Sequence, residues 1–398
     1  MILTINGGSS SIKFALFELG NIPGKIYYGQ LTRVGTNGTR FTVNSEMKSV
    51  PITATTYEGA IDYLISWLEA NIQFSGVKAI GHRIVHGMQH TEPCLITTEL
   101  LKDLTIISAY DPDHLPYEIL LIKGFKKAHL DISQYACFDT DFHKDMPQVA
   151  KLLPIPRRFD KLGIHRYGFH GLSYQYLMQE LELLAGKQIA HGRIIIAHLG
   201  NGASLAAIKH GKSIDTSMGF TPDSGVPMST RTGDLDPGVA WFMMQSEQLT
   251  PKQFNHLISC ESGLLGISET SGDMYDLLQL EGTDIRAAEA VGLFCYQVKK
   301  WIGGFAAALG GLDAIIFTGG IGENSPAIRA RICEGMGFLG IEINDERNHK
   351  NAEFISATNG VSIRVMHTDE EMMIAKLVYH MIETPVKEKQ NIKDIHHV

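Results

Sequence analysis

The sequence predicts an α/β protein of two domains, and two observations carry that expectation. A strand running into a glycine-rich turn recurs in three separate parts of the chain. At 398 residues the chain also exceeds one ordinary hydrophobic core, so two domains are expected. The central copy is Ile194-Ile195-Ile196-Ala197-His198-Leu199-Gly200-Asn201-Gly202-Ala203-Ser204, a buried strand and tight turn, followed by a second strand at Leu205-Ala206-Ala207-Ile208. Asn-Gly between apolar runs signals a hairpin because both residues tolerate positive φ. Small residues there also leave backbone N–H groups open to an anion.

The N-terminus repeats the design. Met1-Ile2-Leu3-Thr4-Ile5 leads into Asn6-Gly7-Gly8-Ser9-Ser10-Ser11 and then the alternating Ile12-Lys13-Phe14-Ala15-Leu16-Phe17. The third copy is Ala314-Ile315-Ile316-Phe317 followed by Thr318-Gly319-Gly320-Ile321-Gly322-Glu323-Asn324. Ser325 as N-cap and Pro326 at the first helical position then point a helix N-terminus back at the glycines. Three such turns suggest several walls of one nucleotide site. The spacing fits neither a Walker A loop nor a Rossmann fingerprint.

Between these copies, further strands are expected up to about Pro51. Ile61, Leu64, Ile65 and Leu68 fall at helical spacing and predict a helix over 57–72. Val77 to Ile80 is a short strand ending in Gly81-His82-Arg83-Ile84-Val85-His86-Gly87. His82 and His86 lie four apart, but β-branched neighbours and glycines favour strand and loop over a metal-binding helix. Asp111-Pro112-Asp113-His114-Leu115-Pro116 is a proline-bracketed loop before a helix over 117–128. Ala136 to Asp139 is a strand ending in an acid, a usual place for catalytic groups in α/β enzymes, with an Asx turn or N-cap as the plain alternative. A helix from Ser173 to about Ala185 carries Leu177, Leu181 and Leu184 on one face. Long polar loops cover 215–222 and 230–237, and such loops inside a domain are usually functional. Residues 238–309 read as mostly helical, 361–366 as the last strand, and 372–382 as a C-terminal helix with a polar, frayed tail from Lys387 to Val398.

Composition narrows the function. A formal net charge of −8 argues against a nucleic-acid surface and for a small-molecule partner. Five scattered cysteines without a Cys-x-x-Cys pair fit a reducing cytoplasm and exclude a zinc ribbon. The N-terminus enters strand at once, so no signal peptide is expected, and the apolar stretch 287–309 is interrupted by Glu289, Lys299 and Lys300, so no membrane span is expected either. Asn6, Ser9, Ser11, Lys13, Arg83, Asp139, His170, Asn201, Arg231 and Glu370 are the polar groups placed at strand ends beside glycines. No Gly-x-Ser-x-Gly elbow accompanies them, which disfavours acyl hydrolysis. Fixed cations, a few carboxylates and phosphate-cradling turns suit phosphoryl transfer with Mg²⁺. The repeated strand-turn-strand also fits the duplicated actin-like fold, with a cleft between two related domains.

Asn6-Gly7-Gly8-Ser9-Ser10-Ser11-Ile12-Lys13 resembles the N-terminal signature of the acetate kinase family, which includes propionate kinases. Segments 166–170, 198–204, 215–222, 231–237, 262–268 and 317–325 also resemble that family, in the expected order across nearly the whole chain. The resemblance implies direct in-line attack of acetate on the γ-phosphoryl group of ATP, giving acetyl phosphate and ADP. It implies that Asn6, Ser9, Ser11 and Lys13 lie near phosphate and metal, and that Arg83 and Arg231 grip the carboxylate and the phosphoryl group. His170 would bond that phosphoryl group with His114 in support, Asp139 would order the site, and Glu370 with Asn6 would hold Mg²⁺ or its substitute Mn²⁺. His198, Asn201, Gly202, Asp273, Gly320, Gly322 and Asn324 would face the nucleotide, and Val85, Phe169 and Pro222 would line the acyl pocket. A homodimer is implied, with Gly303-Gly304 and Ala306-Ala307-Ala308 allowing close helix approach. The domains would be 1–145 plus 372–398 on the acyl and phosphate side, and 146–371 for nucleotide binding and dimerisation.

Some positions depart from the family pattern. Asp113 stands where a leucine usually lines the acyl pocket, and an ionised Asp there would repel a carboxylate. Tyr174 replaces a histidine, Tyr275 an arginine, and 223–229 a more apolar stretch. A substrate other than acetate (propionate, butyrate or a polar short acid) and a catalytically silent nucleotide binder are the alternatives.

Overall fold

The computed structural model describes residues 1–20, 23–44, 49–357 and 359–383, so the tail from Lys387 lies outside the described residues. The chain divides into two compact units. The first holds Met1–Ile84, Glu92–Phe138 and the chain from Glu371 onward; the second holds Val85–Thr91 and Asp139–Glu370.

The first unit is built on β1 (Ile2–Gly7), β2 (Ser11–Phe17), β3 (Lys25–Thr32), β4 (Arg40–Val43), β5 (Val50–Pro51), β6 (Ala79–Ile84), β7 (Cys94–Leu95) and β8 (Ser133–Phe138). They form one sheet in the order β5-β4-β3-β2-β1-β6-β8-β7. β1 pairs antiparallel with β2 and parallel with β6, which pairs parallel with β8. Every residue of β1 is buried, Thr4 and Asn6 included, as expected of an inner strand covered on both faces. Helix Tyr57–Asn71 packs Ile61, Leu64 and Leu68 into the same core as Leu3 and Ile5, and Thr56 caps it by accepting from Gly59 N–H. Helix Glu370–Glu383 lies close over β6, because a Cβ on Gly81 would sit 2.5 Å from Ile374.

The second unit is built on β9 (Arg193–Leu199), β10 (Ala203–Lys209), β11 (Lys212–Thr216), β12 (Ala314–Thr318) and β13 (Ser362–Val365), in the order β11-β10-β9-β12-β13. β9 and β10 are antiparallel, and β9, β12 and β13 run parallel. The two sheets therefore share one five-strand plan, the first strand being flanked by an antiparallel hairpin on one side and two parallel strands on the other. The duplication expected from the repeated turns is present in the topology. Alternate residues of β9 and β12 face opposite cores. Ile195, Ala197 and Phe317 meet Val291, Phe294 and Val298 of helix Ile285–Leu309, while Ile194, Ile196 and Ile316 meet Leu177 and Leu181 of helix Gly171–Ala185. Leu184, expected on that same apolar face, is 54% exposed because it sits in the last turn of its helix.

Two local expectations are corrected. The β9–β10 connection is a hairpin, but Gly200, Asn201 and Gly202 all avoid the left-handed region. Its three residues close through Gly200 N–H donating to Gly202 O at 3.1 Å, so the turn does not need positive φ. The glycines after β12 form a short helix, Gly319–Asn324, instead of an open turn, and Ser325 caps the next helix, Pro326–Cys333, without a side-chain hydrogen bond. Glu323 folds its carboxylate back to accept from Gly319 N–H at 2.9 Å and Thr318 Oγ1 at 3.1 Å, which satisfies that helix start.

Candidate active site

In the first unit the polar candidates lie in one row across adjacent strands. Asn6 on β1 stands opposite Lys13 on β2, and Arg83 on β6 donates to Asn6 Oδ1 at 3.2 Å. Asn6 Nδ2 donates at 3.0 Å to Oε1 of Glu371, the residue after Glu370. Ser9 and Lys13 are exposed and Ser11 is half-buried. The turn itself is braced: Gly8 N–H donates to Ser11 O at 2.8 Å, and the Tyr57 hydroxyl donates to Gly8 O at 3.0 Å. A Cβ on Gly7 would lie 2.2 Å from Cδ1 of buried Leu121, so any side chain there must displace that core residue. His114 precedes helix Leu115–Ala128, and its Nδ1 lies 2.8 Å from Oδ1 of buried Asp111. Asp113 beside it is half-exposed. His82 is structural: buried against Gln134 Oε1 at 2.6 Å, it is driven by desolvation down to about 4.

In the second unit the loop before helix Gly171–Ala185 carries His170 in the left-handed region at φ 57°. The chain is pressed there against the backbone of Asp139, since Gly171 N–H donates to Asp139 O at 2.9 Å and a Cβ on Gly171 would fall 2.1 Å from that oxygen. Asp139 is fully buried at this junction. Arg166 donates through Nη1 to the carbonyls of Thr216, Ser217 and Met218 at 3.0, 3.2 and 2.9 Å, fixing the loop that runs on to Pro222. Val85 and Phe169 are buried together with Met218, Val226 and Met228. His86, in an aromatic cage of Tyr167, Phe169 and Phe220, accepts on Nδ1 from Met88 N–H, a packing role and not half of a metal pair.

The polar groups of this unit converge on the β9–β10 turn. A Cβ placed on Gly202 would lie 3.4 Å from His170 Nε2 and 3.8 Å from Arg231 Nη1. Arg231 is held from behind by Asp223, with Nε 3.3 Å from Oδ1, and Nη1 reaches Pro222 O at 3.4 Å. His170 Nδ1 meets Ser204 Oγ at 2.9 Å, and its ring stacks on His198 at 4.2 Å. Exposed Asn201 accepts on its carbonyl from Ser229 N–H at 3.1 Å. The third glycine segment joins the same turn, since a Cβ on Gly200 would sit 3.7 Å from Gly320 N. Gly322 packs against Ala197 and Leu199, and Asn324 Nδ2 donates to Gly320 O at 3.0 Å. Buried Arg329 clamps this segment by donating to the carbonyls of Gly322 and Glu323 at 2.8 and 3.0 Å. Asp273 caps helix Met274–Leu280, its Oδ1 accepting from Tyr275 N–H at 2.9 Å. Glu370 opens the last helix, half-buried.

Sequence reasoning did not find Ser204, Asp223, Glu371 or Arg329 as parts of these sites. Ser204 lies in the family-like segment 198–204 and Asp223 in a departure from the family pattern, while Glu371 and Arg329 carried no signal. Among the described residues no group of three or more His, Cys, Asp or Glu is arranged to hold a metal. Asn6 and Glu371, hydrogen-bonded at 3.0 Å, offer hard oxygens of the kind that bind Mg²⁺ beside phosphate oxygens.

The profile of the acetokinase family matches residues 1–376. An acetate kinase from Rhodopseudomonas palustris (strain TIE-1) is 40% identical over 394 residues, covering 96% of this chain and 98% of its own length. A propionate kinase from Citrobacter rodentium is 39% identical over 397 residues, covering 97% and 98%. The crystal structure of Porphyromonas gingivalis acetate kinase superposes with a TM-score of 0.84 at 34% identity over 96% of this chain and 99% of that one. That of a propionate kinase from Francisella tularensis gives 0.88 at 33% identity, covering 94% and 98%. With the ordered motifs, the duplicated α/β fold and full-length identity in agreement, this chain belongs to the acetokinase family.

Proposed function

We propose that this chain transfers the γ-phosphoryl group of ATP reversibly to acetate, forming acetyl phosphate and ADP. Family membership makes it an ATP-dependent phosphotransferase with a carboxyl acceptor. The observation that carries the finer reading is that two ring and guanidinium nitrogens, His170 Nε2 and Arg231 Nη1, both border Gly202, at 3.4 and 3.8 Å from where its Cβ would stand. Donors fixed in advance around developing charge are the main source of catalysis in phosphoryl transfer. An acceptor carboxylate is ionised at neutral pH, so no general base is required.

The reading assigns Arg231 and His170 to the transferred phosphoryl group, and Asn201-Gly202, His198, Asp273 and the Gly320–Asn324 segment to the nucleotide. Asp139 orders the loop that presents His170. Val85, Phe169 and Pro222 supply apolar wall for the acyl group. To the first unit it assigns phosphate contacts by Ser9, Ser11 and Lys13, the substrate carboxylate to Arg83, and support to His114. Asn6 and Glu370 would hold Mg²⁺, or Mn²⁺ in its place, which when bound draws charge from the phosphate oxygens.

Asp113 favours a second substrate reading, propionate, butyrate or a polar short acid, because it stands where the family places a leucine. Trapping acyl phosphate with hydroxylamine, using ATP, Mg²⁺ and a panel of short acids, separates the readings. Strong signal with acetate supports the first, signal confined to a longer or polar acid supports the second, and no signal with any acid defeats both and favours a silent nucleotide binder.

The reading includes a homodimer. Helix Pro237–Ser246 buries none of its residues, and its Trp241 and Phe242 are 68% and 69% exposed. Apolar surface of this kind is covered by a second copy. Light scattering of Trp241→Glu should give a monomer where the unaltered chain gives a dimer; a monomer in both refutes it. Among the described residues no helix is long and apolar enough to cross a membrane, and the reading places the enzyme in the cytoplasm.

A further inference from the structure

We propose that Tyr174, acting through Ser204, is a positioning residue that holds His170 in the neutral tautomer with its proton on Nε2. The proposal rests on the reading of His170 as a donor to the phosphoryl group, and supplies what that donor needs.

Tyr174 and Ser204 are both fully buried. The Tyr174 hydroxyl is hydrogen-bonded to Ser204 Oγ, and among the described residues that is its hydrogen-bond partner. Ser204 Oγ also lies 2.9 Å from His170 Nδ1. Each hydroxyl owns one proton, and a buried donor left without an acceptor is heavily disfavoured. The phenol proton must therefore go to Ser204 Oγ. The serine then gives its own proton to His170 Nδ1, which makes Nδ1 an acceptor and leaves the ring proton on Nε2. Nε2 is the atom nearest to where a Cβ on Gly202 would stand, at 3.4 Å.

The opposite arrangement fails at the far end of the relay. A proton on Nδ1, in the other neutral tautomer or in the imidazolium, would be donated to Ser204. Ser204 would then either donate to Tyr174, whose proton would have nowhere to go, or accept from both neighbours and leave its own buried proton without an acceptor. Burial also holds the phenol well above its ordinary pKa, so Tyr174 stays a donor across the working range. The stacked ring meets a second hydroxyl pair, whose outer member Thr368 is half-buried. Thr368 Oγ1 donates to Ser173 Oγ at 2.8 Å, and Ser173 Oγ lies 2.9 Å from His198 Nδ1. Two imidazolium rings stacked at 4.2 Å would repel, so the two relays reinforce each other. The family pattern has a histidine at position 174. A phenol has one proton and no second tautomer, so in this chain the direction of the relay is fixed.

Nitrogen-15 NMR of histidine-labelled, ligand-free protein at neutral pH reads the tautomer directly, with the His170 resonances assigned by their loss in His170→Asn. The unaltered protein should show Nδ1 bare and Nε2 protonated. Tyr174→Phe should mix the tautomers and lower kcat about 5- to 10-fold, the worth of one hydrogen bond, with KM for ATP and acid unchanged. Ser204→Ala should do the same and Ser204→Thr, which keeps the hydroxyl, should restore both readouts; this pair decides the matter if Tyr174→Phe does not fold. A proton on Nδ1 in the unaltered protein, or an unchanged tautomer in Tyr174→Phe or Ser204→Ala, overturns the proposal. Because the tautomer is read without substrate, failure of phosphoryl transfer with every acid would defeat the functional reading separately.

Discussion

Gly202→Ala places a methyl group where the proposed reaction puts phosphoryl oxygens, and the structure allows its effect to be worked out. Gly202 lies outside the left-handed region, so alanine can adopt its backbone without strain. The new Cβ would meet His170 Nε2 at 3.4 Å, His170 Cε1 at 3.6 Å and Arg231 Nη1 at 3.8 Å, all ordinary contacts. Stability should therefore hold, or rise by about 0.4–1 kcal/mol through the lost flexibility of the unfolded chain. Catalysis should not hold. An oxygen accepting from Nε2 must approach to roughly 2.9 Å, into the volume the methyl occupies. Removing one preorganised donor commonly costs about 10²–10³-fold in turnover. The methyl obstructs two, so a fall of at least ~10²-fold in kcat is expected, near 2.7 kcal/mol of barrier. Hydroxamate formation at saturating ATP and acid measures this, with thermal unfolding followed in parallel. Activity within threefold of the unaltered enzyme would show that the phosphoryl group does not pass between His170 and Arg231. A melting point lowered by many degrees would show instead that the turn has been misread.

Three further outcomes follow from the same geometry. Arg231→Ala should lower turnover by at least ~10²-fold with little effect on folding, and Arg231→Lys should not rescue it, because a lysine cannot hold Asp223 through one nitrogen while presenting another towards Gly202; near-normal activity in either variant removes Arg231 from the mechanism. Asp113→Leu should raise acetate use relative to longer or polar acids, and an unchanged ranking across the acid panel would exclude Asp113 from specificity. His82 and His143 are buried and held by desolvation at about 4, below the ordinary 6.5. The unfolded chain then binds more protons between those values, so stability should be full above about 6.5 and fall as pH drops towards 4, by up to ~3 kcal/mol for each ring. Urea unfolding of His82→Gln across that window should show a shallower fall, and an identical slope would refute the assignment.

The sheets and their covering helices were legible because inner parallel strands must be apolar on both faces and amphipathic helices must repeat their apolar positions. Helix 57–72 came from the spacing of Ile61, Leu64, Ile65 and Leu68, and the structure places it at Tyr57–Asn71. What the sequence hid were contacts between residues far apart along it. Glu371 reaches Asn6 across 365 positions, and Ser204 joins His170 and Tyr174 across about thirty. No local periodicity records such pairs, since only the assembled fold brings them together. Glu323 was hidden differently: its carboxylate turned an expected glycine loop into a helix by satisfying the N–H group at its start.

The duplicated turn shows why a motif can be found correctly and still leave its purpose open. In each sheet the first strand ends in glycine before the antiparallel return, at Gly7-Gly8 in one and Gly200 to Gly202 in the other. Neither turn needs positive φ, so flexibility is not the reason for either. At Gly7 the reason is packing, because buried Leu121 fills the space a side chain would take, and any replacement must move that core. At Gly202 a methyl group fits without overlap, so packing does not demand glycine there. What lines the space beside it is a pair of donors, His170 and Arg231, and an opening bordered by donors is worth keeping only for an acceptor that comes and goes. On the proposed reaction, the same residue in the same topological place serves the fold in one half and the chemistry in the other, and Gly202→Ala tests that division where Gly7→Ala would confound it.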